Sequence, residues 1–236
     1  MIDKKQLSEY LTQAGIPQNE TVIEKLDRFA AMLVERNKLV NLTAITDPEG
    51  VAVKHLLDSL LAFKYADFAQ GAKVIDVGCG AGFPSMPMLI ARNDLQMTFL
   101  DSTGKKLTFI EDCLKELDLE ATVLHVRAEE QAKKNVSRET YDFAVARAVA
   151  NLRSLCELTL PFVKVGGSFV ALKGKEGKEE WEQAQNAIAQ LGGKTEEVFA
   201  YTLPDASERT LILIKKISQT PTKYPRASTA IMKKPL

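Results

Sequence analysis

From Gly71 onward, short apolar runs alternate with amphipathic stretches, and this alternation limits the fold more than any other property of the chain. Apolar runs at 73–77, 97–101, 122–126, 143–147 and 167–173 have the length of buried strands. A helical pattern follows each one: from near Pro84, over 105–117, from near Glu129, over 152–160 and around 179–191. Strands separated by helices pair in parallel, and the crossover helices cover both faces of the sheet. Two further runs, 197–203 and 210–217, have only a turn with Pro204 and Asp205 between them, so they form an antiparallel pair. The expected fold is α/β: a Rossmann-like, mostly parallel seven-stranded sheet whose last strand is antiparallel.

The segment before Gly71 reads as helical. Asn19 is a plausible N-cap, and Val22, Ile23, Leu26, Phe29, Ala30, Leu33 and Val34 recur at the three- and four-residue steps of one buried helix face. A second helical pattern follows Pro48, with a loop over 37–43 between them. The expected organisation is a helical extension (1–70), the α/β domain (71–218) and a basic tail (219–236), packed as one unit. From Thr210 to the end the cations are Lys215, Lys216, Lys223, Arg226, Lys233 and Lys234, with no acid. Pro221, Pro225 and Pro235 argue against regular structure after Ser218.

Lys and Arg total 31, as do Asp and Glu, so a globally basic nucleic-acid binder is not indicated, although a local basic patch is compatible with this balance. The cysteines, Cys79, Cys113 and Cys156, match no zinc spacing, and their low density suits a reducing, cytoplasmic setting. The start of the chain lacks the apolar run of a signal peptide. No stretch approaches the roughly 18 continuous apolar residues of a membrane span.

The first strand ends at Asp76 and runs into Gly78-Cys79-Gly80-Ala81-Gly82. Glycine allows left-handed backbone and close approach of a ligand. In an open parallel sheet, ligands bind at the carboxyl ends of the strands. The dinucleotide fingerprint needs a third glycine where Phe83 stands, which disfavours a nicotinamide-dependent oxidoreductase. An Asp two residues before G-x-G-x-G resembles the first motif of class I methyltransferases, whose cofactor is S-adenosylmethionine. Those enzymes carry an acid at the end of the second strand for the ribose hydroxyls, and Asp101 stands there. A carboxylate can accept from both hydroxyls. The glycines would also serve as tight turns alone, and Cys79 reads as a small filler.

The resemblance extends beyond this loop. Asn41-Leu42-Thr43-Ala44-Ile45, His55-Leu56-Leu57-Asp58-Ser59-Leu60, Asp76 through Pro84, Arg127-Ala128-Glu129, Ala146-Arg147-Ala148-Val149-Ala150, Leu172-Lys173-Gly174 and Lys223-Tyr224-Pro225-Arg226 occur in the order found in a bacterial family. This is the 16S rRNA guanine-N7 methyltransferase G family, also called glucose-inhibited division protein B. The resemblance implies methyl transfer from S-adenosylmethionine to N7 of a guanine in a 16S rRNA loop near the decoding site. It carries cofactor contacts onto Gly78, Phe83, Ala128, Glu129 and Arg147, beside Asp76, Gly80 and Asp101 from the glycine motif. Ser85 departs from the Gly that many members have there.

Guanine N7 has a lone pair and no proton, so no general base is expected. Arg147 ends an apolar strand and suits the cofactor carboxylate, a phosphate or guanine O6; a structural ion pair is the plainer reading. Phe83 fits a cofactor contact or the core. Glu129 fits the adenine side or simply an acidic first turn of a helix. His55 and Asp58 share a helix face and, with Lys173, Arg209 and Arg226, are the candidate RNA residues. No third ligand is near them, so no metal is expected. The expected partner is 16S rRNA or an assembling small ribosomal subunit, without membrane association and with the chain monomeric. The alternatives are a class I methyltransferase for another RNA, a protein or a small molecule, and a non-catalytic RNA-binding protein that keeps the fold.

Overall fold

The structure is a computed structural model and describes residues 1–147 and 149–236. Seven strands of the described residues form one sheet: β1 (Lys73–Val77), β2 (Gln96–Asp101), β3 (Thr122–His125), β4 (Tyr141–Arg147), β5 (Val163–Lys173), β6 (Gly193–Thr202) and β7 (Glu208–Lys216). Their order is β3-β2-β1-β4-β5-β7-β6. The pairs from β3 through β5 are parallel, and β7 runs antiparallel to both β5 and β6. The expected α/β sheet with an antiparallel last strand is therefore the one observed. Order reverses at β1, because β2 and β3 continue to one side of it and β4 to the other. A cleft opens at such a reversal, at the carboxyl ends of the strands.

Between the strands lie α6 (Ser85–Ala91), α7 (Gly104–Glu116), α8 (Ala128–Gln131), α9 (Leu152–Thr159) and α10 (Gly177–Gln190). Side chains alternate along β1. Val74 joins the apolar cluster on one face of the sheet, and Ile75 and Val77 join the cluster on the other, with Leu155, Phe162 and Ile188.

The first face is closed by the N-terminal helices, α1 (Lys4–Gln13) and α2 (Glu20–Asn37). Asn19 caps α2 as expected, its side chain accepting from the Val22 N–H at 3.0 Å. Leu26, Phe29 and Leu33 are fully buried in the same cluster as Met86 and Ile110. Each contributes roughly 1.5–3 kcal/mol by leaving water. Ion pairs Arg28–Glu116 and Arg36–Asp112 tie α2 to α7 at the surface.

The pattern after Pro48 is not one α-helix. It comprises α3 (Pro48–Gly50), a π-helical turn over Val51–Leu57, α4 (Asp58–Leu60) and α5 (Ala62–Tyr65). The wider turn suits a segment buried nearly all round: Val51, Ala52, Val53, His55, Leu56 and Leu57 are all buried. Periodicity in threes and fours cannot reveal such a turn.

The tail also differs from expectation. A short helix, α11 (Ser228–Lys233), forms where none of the three prolines falls inside it. Arg138 donates to the carbonyls of Thr220 and Tyr224, at 2.7 and 3.0 Å, and holds the tail to the domain. Lys216, counted among the tail cations, is fully buried; its ammonium donates to Glu139, to the Leu160 and Val163 carbonyls and to Thr220. No helix of the described residues is long and apolar enough to cross a membrane.

Candidate functional site: two clefts sharing one wall

The glycine loop is tied to its neighbouring strand before any ligand is considered. The Gly78 and Cys79 N–H groups donate to the Leu100 carbonyl at 2.8 and 3.1 Å. Gly78 has φ +75°, a left-handed backbone that strains any side chain, and a Cβ there would also press on Val149 Cγ2 at 2.8 Å. At Gly82, φ +92°, a Cβ would meet Ile110 Cδ1 at 2.8 Å, so this glycine lets α7 close on the loop. Asp101 joins the pieces: its Oδ2 accepts from the Gly80 N–H at 3.0 Å and its Oδ1 from the Thr103 N–H at 2.7 Å.

A cleft of about 440 Å³ lies over this loop. On the β2–β3 side it is lined by Leu100, Asp101, Val126, Ala128 and Glu129. On the β4 side the walls are Thr43, His55, Phe83 and Arg147. Asp101 and Glu129 thus stand at one end, with Lys106 and Arg127 near them, and Arg147 at the other, with glycine backbone and apolar side chains between. This donor set fits S-adenosylmethionine: carboxylates for ribose and adenine groups, bare backbone for close approach, and positive charge for a carboxylate. Each Asp101 oxygen has spare lone pairs beyond its N–H partner.

Asp76 is not on the cleft wall. It is fully buried beneath the loop, and neither its carboxylate oxygens nor the adjacent Ser85 hydroxyl has a hydrogen-bond partner among the described residues. Burial pushes its carboxyl up to about 8, against the opposing pull of Ser85 and of the Arg147 charge. Cys79 is buried and its thiol is pushed far up by burial, which fits a filler and not a nucleophile.

A second cleft of about 480 Å³ adjoins the first and shares His55 and Arg147 with it. Lys54, Asp58, Lys173, Lys175 and Arg209 also line it. Asp58 is its hub. The Asp58 carboxylate is buried and accepts from Arg147 and Arg209, both at 3.3 Å, and from the Tyr201 hydroxyl at 3.2 Å. Arg147 donates further to the Lys54 carbonyl at 2.9 Å and to His55 Nδ1 at 3.2 Å. Its guanidinium lies over the Phe83 ring, 4.8 Å from the centroid, and the His55 ring stacks on the same Phe83 at 4.4 Å. Burial and the Arg147 charge push the His55 imidazole down to about 4, so it is neutral at physiological pH.

The first cleft thus brings together Gly78, Gly80, Phe83, Asp101, Ala128, Glu129 and Arg147, and the second His55, Asp58, Lys173 and Arg209. Arg226 joins neither. Its guanidinium is held by the fully buried Glu157, at 2.6 Å, because the tail needs an anchor on α9 and Glu157 needs a counter-charge. Lys173 lines the second cleft but is bonded to Glu180 at 2.8 Å and to the Ala150 carbonyl at 2.7 Å. Thr43, Lys54, Lys106 and Tyr201 were not assigned roles from sequence. The repeat of polar residues in Asn37 through Thr43 is the signal for Thr43: Asn37 accepts from the Leu42 and Thr43 N–H groups and donates to the Thr43 carbonyl, fixing that loop.

A mostly parallel sheet that reverses at β1 and carries the antiparallel β7, a glycine loop after β1 and an acid closing β2 are together the features of a class I S-adenosylmethionine-dependent methyltransferase. The family model for rRNA small subunit methyltransferase G matches residues 22–211. The Ribosomal RNA small subunit methyltransferase G of Lachnoclostridium phytofermentans is 43% identical over 238 residues, covering 100% of this chain and 98% of the relative. That of Brevibacillus brevis is 44% identical over 235 residues, covering 99% of each chain. Among solved structures, geranyl diphosphate C-methyltransferase from Streptomyces coelicolor A3(2), in complex with Mg2+, geranyl diphosphate and S-adenosyl-L-homocysteine, superposes with a TM-score of 0.51 at 13% identity, covering 67% of this chain and 78% of that one. At that identity the likeness concerns the fold alone. The chain belongs to the rRNA small subunit methyltransferase G family.

Proposed function

We propose that this chain transfers a methyl group from S-adenosylmethionine to N7 of a guanine in 16S rRNA, with the acceptor base held in the second cleft. The observation that carries this reading is the shared wall: His55 and Arg147 belong to both clefts, so donor and acceptor would meet there. The names of the relatives support ribosomal RNA of the small subunit as the substrate class. Bound S-adenosylmethionine supplies an electrophilic methyl on a sulfonium. The chain's residues supply alignment, worth roughly 7–11 kcal/mol in well-oriented reactions. N7 needs no deprotonation, and a neutral His55 beside a fixed Arg147 suits orientation, not proton transfer.

In this reading Asp101 takes the ribose, Glu129 and Ala128 the adenine side, and Gly78, Gly80 and Phe83 the centre. Arg147 faces the amino-acid end, and Asp76 supports the loop from below. Most cations of the second cleft are already paired: Lys54 with Asp205, Lys173 with Glu180 and Arg209 with Asp58. Lys175 is exposed and has no ion-pair partner among the described residues, which makes it the cation best suited to a phosphate. The chain acts as a cytoplasmic monomer on rRNA or an assembling small subunit.

Small subunits from a strain lacking this methylation, incubated with labelled S-adenosylmethionine, test the proposal. One methyl per subunit is expected. Lys175→Glu should raise KM for the subunit at least severalfold and leave S-adenosylhomocysteine affinity unchanged. No incorporation, or a cofactor-affinity loss with KM unchanged, contradicts it.

A further inference from the structure

Thr43 lies where two hydrogen-bond donors converge. Its Oγ1 accepts from the Ile45 N–H at 3.0 Å and is 2.7 Å from His55 Nε2. Which of Thr43 and His55 donates is settled at the other ring nitrogen. His55 Nδ1 is 3.2 Å from Arg147 Nη2, and a guanidinium can only donate. Nδ1 is therefore the acceptor, and the neutral imidazole carries its proton on Nε2, aimed at Thr43. The same guanidinium also donates to the Lys54 carbonyl at 2.9 Å, which fixes its position beside the ring. Both lone pairs of the Thr43 hydroxyl are then occupied by donors, and its own hydrogen is left to donate elsewhere.

Thr43 lines the first cleft beside Arg147, on the β4 side of β1. The acids that suit the adenosine, Asp101 and Glu129, stand on the β2–β3 side. The group needed at the β4 end is an acceptor attracted by a cation. We infer that Thr43 is a cofactor-binding residue whose hydroxyl, made a donor by His55, holds the carboxylate of S-adenosylmethionine. His55 is the positioning residue: it links Arg147 and Thr43 so that both present donors to one anion. This inference rests on the first cleft being the cofactor site.

Calorimetry with two ligands tests it. S-adenosylhomocysteine carries the amino-acid end, and 5′-methylthioadenosine keeps only the adenosine end. A hydrogen bond to a charged group predicts a loss of about tenfold or more for Thr43→Val with S-adenosylhomocysteine. Affinity for 5′-methylthioadenosine should stay within about twofold in the same variant, which also reports that it is folded, and Thr43→Ser should bind both ligands as the native chain does. Nitrogen NMR should find His55 neutral and protonated on Nε2. Native affinity for S-adenosylhomocysteine in Thr43→Val, an equal loss for both ligands, or protonation on Nδ1 overturns the inference. Failure of the native chain to bind S-adenosylhomocysteine would instead sink the cleft assignment beneath it.

Discussion

Burial drives two ionisable side chains near the site toward their neutral forms, from opposite directions. His55 falls to about 4 and Asp76 rises to about 8. For His55 the folded value lies below the unfolded one, so its contribution to stability is present above about 6.5 and is lost as pH falls toward 4. For Asp76 the folded carboxyl keeps a proton that the unfolded chain releases, so stability declines as pH rises from about 4 to 8. Asp76→Asn removes this titration and leaves His55 in place. Its melting temperature relative to the native chain should therefore rise steadily across the upper part of that window. A constant difference at every pH would mean that Asp76 is ionised in the fold. The position of Asp76 before the glycines was legible in the sequence, but its burial beneath the loop was not. That depends on Ser85 and on which face of β1 the N-terminal helices cover.

At the scale of elements, strands were legible because each is a short apolar run bounded by turn residues, and the structure has a strand over each of those runs. The π-helical turn was not, since an extra residue per turn leaves no periodic mark in so short a segment. Ion-pair partners were not legible either. Asp58 on α4 meets Arg209 of β7, more than a hundred residues on, and Glu157 meets Arg226 through the fold of the tail. Arg226, expected as an RNA contact, is instead paired with Glu157 and lines neither cleft: a cation in a basic stretch looks free until its partner is known. Arg226→Ala leaves the Glu157 carboxylate buried without its counter-charge. Removing one partner of such a pair costs on the order of 3 kcal/mol, or roughly 6–12 °C of melting temperature in a chain of this size. The salt dependence of RNA binding should not change. A variant with native stability and a shallower salt slope would restore the RNA role to Arg226.

For the whole molecule, the order β3-β2-β1-β4 divides the labour. It sets Asp101 and Glu129 to one side of the reversal and the Arg147–His55 wall to the other, with the glycine loop between them. The N-terminal helices then bring His55 and Asp58 onto that wall, and the β6–β7 hairpin brings Tyr201 and Arg209 to Asp58. The extension before Gly71 is thus part of both clefts. Of the first cleft, the glycine loop and Asp101 could be read from one motif and one acid, whereas Phe83, Ala128, Glu129 and Arg147 were legible only through the family resemblance. For the second cleft His55, Asp58, Lys173 and Arg209 were candidates from the sequence, but their convergence with Lys54 was not legible, because they come from segments far apart in the chain. The most direct measurement is mass-spectrometric mapping of 16S rRNA from unmethylated small subunits after reaction with the native chain and S-adenosylmethionine. A single added methyl on N7 of one guanine is the expected result, and a methyl on another atom, another base or no rRNA nucleotide at all would contradict it.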